Sequence, residues 1–548
     1  VRGLFCLGDP MATMTTLADA VKSAIEDTQS IYNGAPWTTK REEYEAYWNI
    51  YSGAEWDETT GVQDPDTGRA QLRYPLQVRP AAKCCRIHRA VMFGMREDTS
   101  LLPVRAAVAS EGPGAREAQL RFQNFINSSW VWSQGAAVME EAGLLLQIYG
   151  GHFFKVAWEF WNGELPHRIA VRSLKSPAWC MPIYDIYDPW HLMEAWIGYR
   201  IPAEVALVKY GVRSDKKEVL YLEHWTRDEW RITVGGEVPK MKWGDRLEAG
   251  LEGENPWGLV PVVYIPHERE GDFYGRSLVA NLPGLARELN ARLADTGDAV
   301  RETAHRFLVM RNTRSRGALM ARRIVAEGRY VGEAVDIGDA PPITGSKDPD
   351  LFAVESHGVP SSVAGFPDTL WEEIRRQADV AAVAMGDDDV SGGRITGPVT
   401  SYRMFPSISH TMTERANFST GLNMIAQIMA TIVEERERSG TYRQLGIEGP
   451  GITPEMRQMT LRQAWYPMIP IEQIQKVQML TLRLQAGGIS LETYLDKMGE
   501  DDIPQEIERI HADMEWEMRT EAAIKAGMAK PKKKGVASNP GNFDRQEE

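Results

Sequence analysis

The stretch NPWGLVPVVYIPHEREGDFYGRSLVANLPGLARELNARLADTGDAV spans residues 255–300, and the architecture is read outward from it. Val262-Val263-Tyr264-Ile265 is a short apolar run stopped by Pro266. It predicts a strand, since proline cannot donate to a ladder. Asn281 then offers an N-cap, with Pro283 in the first turn of a helix. Leu285, Leu289, Leu293, Val300, Ala304 and Phe307 follow at helical intervals. They make one apolar stripe along a helix over 283–307, roughly 37 Å long. Arg287, Glu288, Arg292, Asp295, Asp298 and Arg301 lie opposite the stripe.

Upstream of this stretch the pattern is helical first and strand-rich second. Helices are predicted over 14–32, 40–52, 76–95 and 115–150, the last with some drift in its spacing and ended by Gly150-Gly151. From His152 the texture changes. Strands are predicted over 152–161, 167–172, 194–201, 219–226 and 229–234, with Gly235-Gly236 as a hairpin turn and 237–243 as the returning strand. Downstream, 308–365 is irregular and strand-like, and a helix runs from Pro367 to Met385. Gly386 to Arg394 is a loop. A long helix follows over 407–438, with Ile408, Met412, Ala416, Phe418, Leu422, Ile425, Met429 and Ile432 as its apolar side. Three more helices follow to about Ala523, and the Lys-rich end is expected to be disordered. The fold class is α+β, mainly α.

The chain has 548 residues, room for three or four domains of about 100–200 residues each. Hydrophobic residues are 43% and charged residues 25%, which argues against wholesale disorder and against collagen-like or membrane classes. The net charge of −14 argues against a surface built to grip nucleic acid everywhere, because neutralising phosphate takes an excess of Lys and Arg. Four cysteines (Cys6, Cys84, Cys85 and Cys180) include no CxxC pair, so a disulfide scaffold is not expected and a reducing compartment fits. No apolar run approaches the ~18–20 residues that span a bilayer. Residues 1–10 read as an over-extended start without a function.

Signatures of catalysis are absent from the sequence: no GxxxxGK[ST], HExxH, GxSxG or GxGxxG after a strand. The histidines are scattered, and none stands three or four residues from another. Asp387-Asp388-Asp389 is the sharpest carboxylate cluster. As an enzyme feature it would hold divalent metal in a nuclease, with His410 and Glu414 nearby in sequence. As a bland feature it is a solvated loop, since consecutive carboxylates point in different directions. Between 301 and 329, eight arginines (Arg301, Arg306, Arg311, Arg314, Arg316, Arg322, Arg323 and Arg329) face only Glu302 and Glu327. This local reversal of sign reads as a contact patch for nucleic acid or an acidic partner, or equally as a solvated surface making intersubunit salt bridges. Trp37, Trp48, Trp56, Trp130, Trp132, Trp158 and Trp161 could stack bases, but most are expected to fill cores and interfaces.

Residues 255–300 resemble the middle of tailed-bacteriophage portal proteins, and GGISLETYLDKMGEDDIPQEIERIHADMEWE (487–517) resembles their C-terminal part. With the order of elements, the resemblance covers about 110–520. It implies a ring, usually of twelve subunits, at one capsid vertex of a virion that is assembled in the host cytoplasm. Residues 11–265 and the long helix 404–440 would be the wing. Residues 266–307 and 366–386 would carry the two stem helices, 308–365 the clip, 387–403 the tunnel loop and 441–525 a helical crown, with 526–548 a disordered tail. Asp387, Asp388, Asp389 and Arg394 would face DNA in the channel. Arg311, Arg314, Arg316, Arg322, Arg323 and Arg329 would serve clip contacts. Implied partners are double-stranded DNA, the terminase large subunit, the head–tail adaptor, the major capsid protein and a scaffold, with no membrane. The resemblance implies no catalytic residue, metal or cofactor, ATP hydrolysis belonging to the terminase. The rival readings are the metal-dependent nuclease and a phage DNA-binding or adaptor protein that is not a conduit.

Overall fold

Gly150 is where helix gives way to sheet, and it anchors the architecture. Its φ of 78° closes a helix, and a Cβ there would meet the Gly275 carbonyl at 2.3 Å, so only glycine fits. The structure, a computed structural model, describes residues 30–54, 77–94, 104–106, 115–159, 168–243, 246–271, 273–304, 307–311, 334–336, 350–354, 364–386, 397–444, 448–457, 459, 461–463, 465, 468, 470–498 and 503–525. It is mixed α+β, with helices predominating. The chain divides into two units, Val1–Met468 and Ile469–Glu548. Among the described residues no helix is long and apolar enough to cross a membrane.

The first unit opens with α1 (Ala35–Ser52) and α2 (Pro80–Phe93), each with proline in its first turn, followed by β1 (Val104–Ala106). The helix predicted over 115–150 is two helices, α3 (Ala115–Trp132) and α4 (Gly135–Tyr149). Gln134 turns left-handed between them, at φ 58°. Buried Ser133 explains the break. Its hydroxyl donates to the Ser129 carbonyl at 2.7 Å and accepts from the Val171 amide at 2.9 Å, tying the corner to the neighbouring sheet. The drift in the apolar spacing was the trace of this corner.

Strands β2 (Gly151–Glu159), β3 (Arg168–Ser173), β4 (Cys180–Tyr184) and β5 (Leu192–Pro202) come next. Then follow α5 (Ala203–Tyr210), β6 (Glu218–Thr226), β7 (Glu229–Val234), β8 (Lys240–Trp243), β9 (Arg246–Gly250), β10 (Glu252–Glu254) and β11 (Val262–Pro266). One antiparallel sheet runs β11-β2-β3 and another β10-β7-β6-β5-β4. The return strand expected after Gly235-Gly236 is reduced to a single bridge, Val234 to Glu237. Pro239 lacks the amide that would continue it. β8 pairs with β9 instead, and β10 takes the β7 edge. Of the tryptophans singled out, Trp37, Trp130 and Trp158 are buried, Trp48 and Trp132 are exposed, and Trp56 and Trp161 lie outside the described residues.

Helix α6 (Pro283–Ala304) follows, then β12 (Phe307–Arg311), β13 (Ala334–Asp336), β14 (Asp350–Val354) and α7 (Phe366–Gln377). α6 and α7 share one core, in which Leu289 meets Leu370 and Ile374 together with Cys84, Cys85, Leu145 and Ile148. β12 is parallel to β13 and antiparallel to β14, with Phe307 opposite Val354. The predicted helix to Met385 ends at Gln377. There Val380 donates to the Arg375 carbonyl at 2.9 Å and Asp379 to Arg376 at 3.2 Å, the Schellman pattern, with Asp379 left-handed at φ 51°.

The long helix α8 (Gly397–Arg438) starts ten residues before its expected beginning and runs through Pro406, so 397–403 of the expected tunnel loop is helical. Tyr402 and Pro406 are exposed, where solvent can satisfy the carbonyl that proline leaves unpaired. Phe418, Leu422, Ile425, Met429 and Ile432 are buried in the main core, as the stripe predicts. Met412 and Ala416 of that stripe are exposed; Ser407, Thr411 and Glu414 are buried in their place. Short helices α9 (Thr441–Gln444) and α10 (Pro454–Arg457) lead to β15 (Leu461–Gln463), which pairs with β1. The division between units therefore falls inside the segment read as a crown.

The second unit contains α11 (Pro470–Gln485), α12 (Leu491–Met498) and α13 (Ile503–Lys525). Gly487, left-handed at φ 72°, ends the first, and the Ser490 hydroxyl caps the second by accepting from the Thr493 amide at 3.1 Å.

Candidate functional site

The polar buried face of α8 is where the described chemistry gathers. His410 and Glu414 stand one turn apart, so both side chains leave the same face of the helix. α2 brings His88 against that face, and the chain leaving β11 brings His267. The neighbouring packing is tight: a Cβ on Gly421 of α8 would lie 2.3 Å from the Ile265 side chain.

Glu414 Oε1 lies 2.7 Å from His267 Nε2 and 3.0 Å from His410 Nε2, and the two Nε2 atoms are 3.2 Å apart. His88 stacks obliquely on His410 with ring centroids 4.8 Å apart. Every imidazole has its other nitrogen facing an oxygen. His267 Nδ1 is 2.9 Å from the Arg276 carbonyl, His88 Nε2 is 2.6 Å from the Ala378 carbonyl, and His410 Nδ1 is 3.7 Å from an Asp379 carboxylate oxygen. Asn417 donates to the His267 carbonyl at 2.8 Å and holds that backbone in place.

Carbonyls only accept, so His267 carries its proton on Nδ1 and His88 on Nε2. His88 then has a lone pair on Nδ1, which is buried and unpartnered, as is Glu414 Oε2. Burial pushes the His88 pKa down to about 4. Burial alone would raise that of Glu414. The charge and hydrogen bond of His267 and the hydrogen bond of His410 outweigh it and hold the carboxyl well below its usual range. For His410, burial pulls down, and the hydrogen bond and charge of Glu414 with the charges of Glu268 and Asp379 together outweigh it, so the net direction is upward. At neutral pH the interior thus holds a carboxylate that requires a positive partner, either an imidazolium or a metal ion. The ligating atoms of His88, His410 and Glu414 lie within 4.8 Å of one another, a spacing that can hold a cation.

Sequence reasoning named His410 and Glu414 only as neighbours in sequence of the Asp387 run, which lies outside the described residues. It missed His88 and His267, because nothing local connects positions separated by 143 residues or more. A usable signal did exist: His410 and Glu414 at i, i+4 on a helix. Asp387, Asp388, Asp389 and Arg394 lie outside the described residues, as do Arg314, Arg316, Arg322, Arg323 and Arg329. Arg311 ends β12, opposite Asp350 of β14.

A second buried polar cluster lies in the strand-rich part. Glu223 bonds Lys155, the Trp225 indole and, at 2.9 Å, the Tyr221 hydroxyl. It is a satisfied ion pair that joins β2 of one sheet to β6 of the other, with no unpaired carboxylate oxygen to offer a ligand. No family model matches the chain, and no curated protein matches it.

Proposed function

We propose that this chain is the subunit of a portal ring, a conduit for double-stranded DNA at one vertex of a phage capsid. One observation carries the reading. α6 leads into an excursion of three strands whose first and last residues, Phe307 and Val354, are cross-strand partners, and α7 then packs back against α6. A pair of packed helices bearing a closed β module at their far end is the arrangement that a stem and clip require. The segment 387–396 and the 42-residue α8 follow in the order expected of a tunnel loop and a wing helix.

The charges on the helix pair fit a channel that must not hold its cargo. Arg292 of α6 is paired with Glu288 at 2.7 Å and Asp295 at 3.0 Å, and Arg376 of α7 lies 3.5 Å from Glu372. Cations answered within their own helix contribute little phosphate affinity, and a net charge of −14 keeps contact with DNA weak. The ring, its assumed twelve-fold symmetry, its place in the virion and its docking to terminase and then to the adaptor belong to this proposal.

Electron microscopy of the purified chain, with its native mass, tests it. The expected particle is a ring with a central hole and a mass of about 740 kDa, twelve copies of the 61.6 kDa chain. A compact particle of one or two chains, unchanged by concentration and salt, overturns it. Mg²⁺-dependent DNA cleavage that disappears in Asp387→Ala would put the nuclease in its place.

A further inference from the structure

We propose that His88, His267, His410 and Glu414 form a buried site for one divalent transition-metal ion of the zinc class. The inference concerns the interior of the first unit and stands whether or not the chain forms rings. Its geometric basis is the triangle of His267 Nε2, His410 Nε2 and Glu414 Oε1, with sides of 2.7, 3.0 and 3.2 Å. A tetrahedral zinc site with bonds of about 2.0–2.1 Å separates its donors by about 3.3 Å. The triangle is close to one face of that tetrahedron. His88 supplies the fourth corner. Its ligating atom is within 4.8 Å of those of His410 and Glu414.

Two further features favour a metal over a trapped proton. An imidazolium at His267 would satisfy one short contact, yet it leaves buried His88 Nδ1 and Glu414 Oε2 without partners. A metal uses the first and draws the carboxylate in. All three imidazoles also have their outer nitrogen facing a carbonyl or carboxylate, the outer shell that orients metal-bound histidines. Three imidazoles and one carboxylate suit zinc and its neighbours better than calcium or magnesium, which take oxygen ligands. Ala378 and Asp379 follow α7, so a bound ion would tie the α7 terminus to α2, β11 and α8.

The test uses the full chain, stripped with chelator and titrated with Co²⁺ as the probe. The expected result is a set of visible d–d bands of tetrahedral cobalt that saturates at one equivalent per chain. Zn²⁺ displaces the cobalt and raises the melting temperature. His88→Gln and His410→Gln, each checked to melt like the parent in chelator, lose the bands. X-ray absorption of the zinc-loaded parent, which needs no variant to fold, is expected to show only nitrogen and oxygen at about 2.0–2.1 Å. A folded parent that neither develops bands nor retains zinc overturns the proposal. So does sulfur in the zinc shell, which would assign the ion to Cys84 or Cys85, or a spectrum unchanged in both variants.

Discussion

His152 sits at the start of β2 with no exposed surface, its Nε2 2.7 Å from the Ser173 hydroxyl. Burial lowers its pKa from 6.5 to about 3. The unfolded chain therefore takes up this proton below pH 6.5 while the folded chain refuses it until about pH 3. The stability is fully present above the unfolded pKa and is lost as pH falls through that window, by about 5 kcal/mol in total. Urea midpoints measured from pH 7 to pH 3.5 are expected to fall more gently in His152→Gln than in the parent. Glu223 makes the complementary case. Removing its carboxylate by Glu223→Ala leaves Lys155, the Tyr221 hydroxyl and the Trp225 indole without their acceptor, and is expected to cost about 3–5 kcal/mol in equilibrium unfolding.

At the scale of elements, α8 joins two regimes. From Phe418 onward its buried face is apolar and its periodicity is that of any core helix. From Met404 to Glu414 the buried face is mixed: Ser407, Thr411 and Glu414 share it with Met404 and Ile408, while Met412 is turned outward. The stripe read across Met412 and Ala416 failed there because apolar periodicity finds a buried face only when that face is apolar. Ser407 shows what the polar face does. Its hydroxyl donates to the Asp379 carbonyl at 2.9 Å and accepts from the Ala381 amide at 2.8 Å, which fixes how the chain leaves α7. Ser407→Ala orphans both groups and is expected to cost about 1–3 kcal/mol by denaturant titration. Pro406, one residue earlier and exposed, denies α8 a hydrogen bond. Pro406→Ala is expected to raise the melting temperature, with a gain of up to ~3 kcal/mol if the helix is otherwise unstrained.

For the whole molecule, if it is the proposed portal subunit, electrostatics govern its contact with DNA. A conduit works by failing to bind. If Asp387, Asp388 and Asp389 face the cargo, each subunit of a ring sets three negative charges against the phosphates. Changing all three to Asn is expected to tighten retention of double-stranded DNA by the assembled ring, most at low salt, with the difference fading above about 0.2 M as screening shortens. Filter binding across a salt series reads this out, and an unchanged salt profile would remove these residues from the channel wall. The arginines from Arg311 to Arg329 are tested by the same logic. Arg314→Glu with Arg316→Glu is expected to break either ring assembly or motor docking, and native mass measured beside a terminase pull-down tells which.

The long helices and main strands of the described residues, and their order, were legible in the sequence alone; α5, β1 and β4 were not. Helix stripes, strand alternation and the Gly and Pro punctuation act over a few residues, so they survive without tertiary context; the strand ending at Pro266, the helix from Pro283 and the helix ending at Gly440 all follow from such local rules. Misreadings occurred where a side chain bonded backbone far away in sequence: Ser133, at the corner of the broken helix, to Val171, and Ser407 to the chain leaving α7. The buried histidine–glutamate cluster was decided wholly by tertiary structure. His88, His267 and Glu414 are far apart along the chain, and each by itself is an ordinary polar residue. Only the packing of α2, β11 and α8 removes them from water, and removal from water is what turns a carboxylate and three imidazoles into a site.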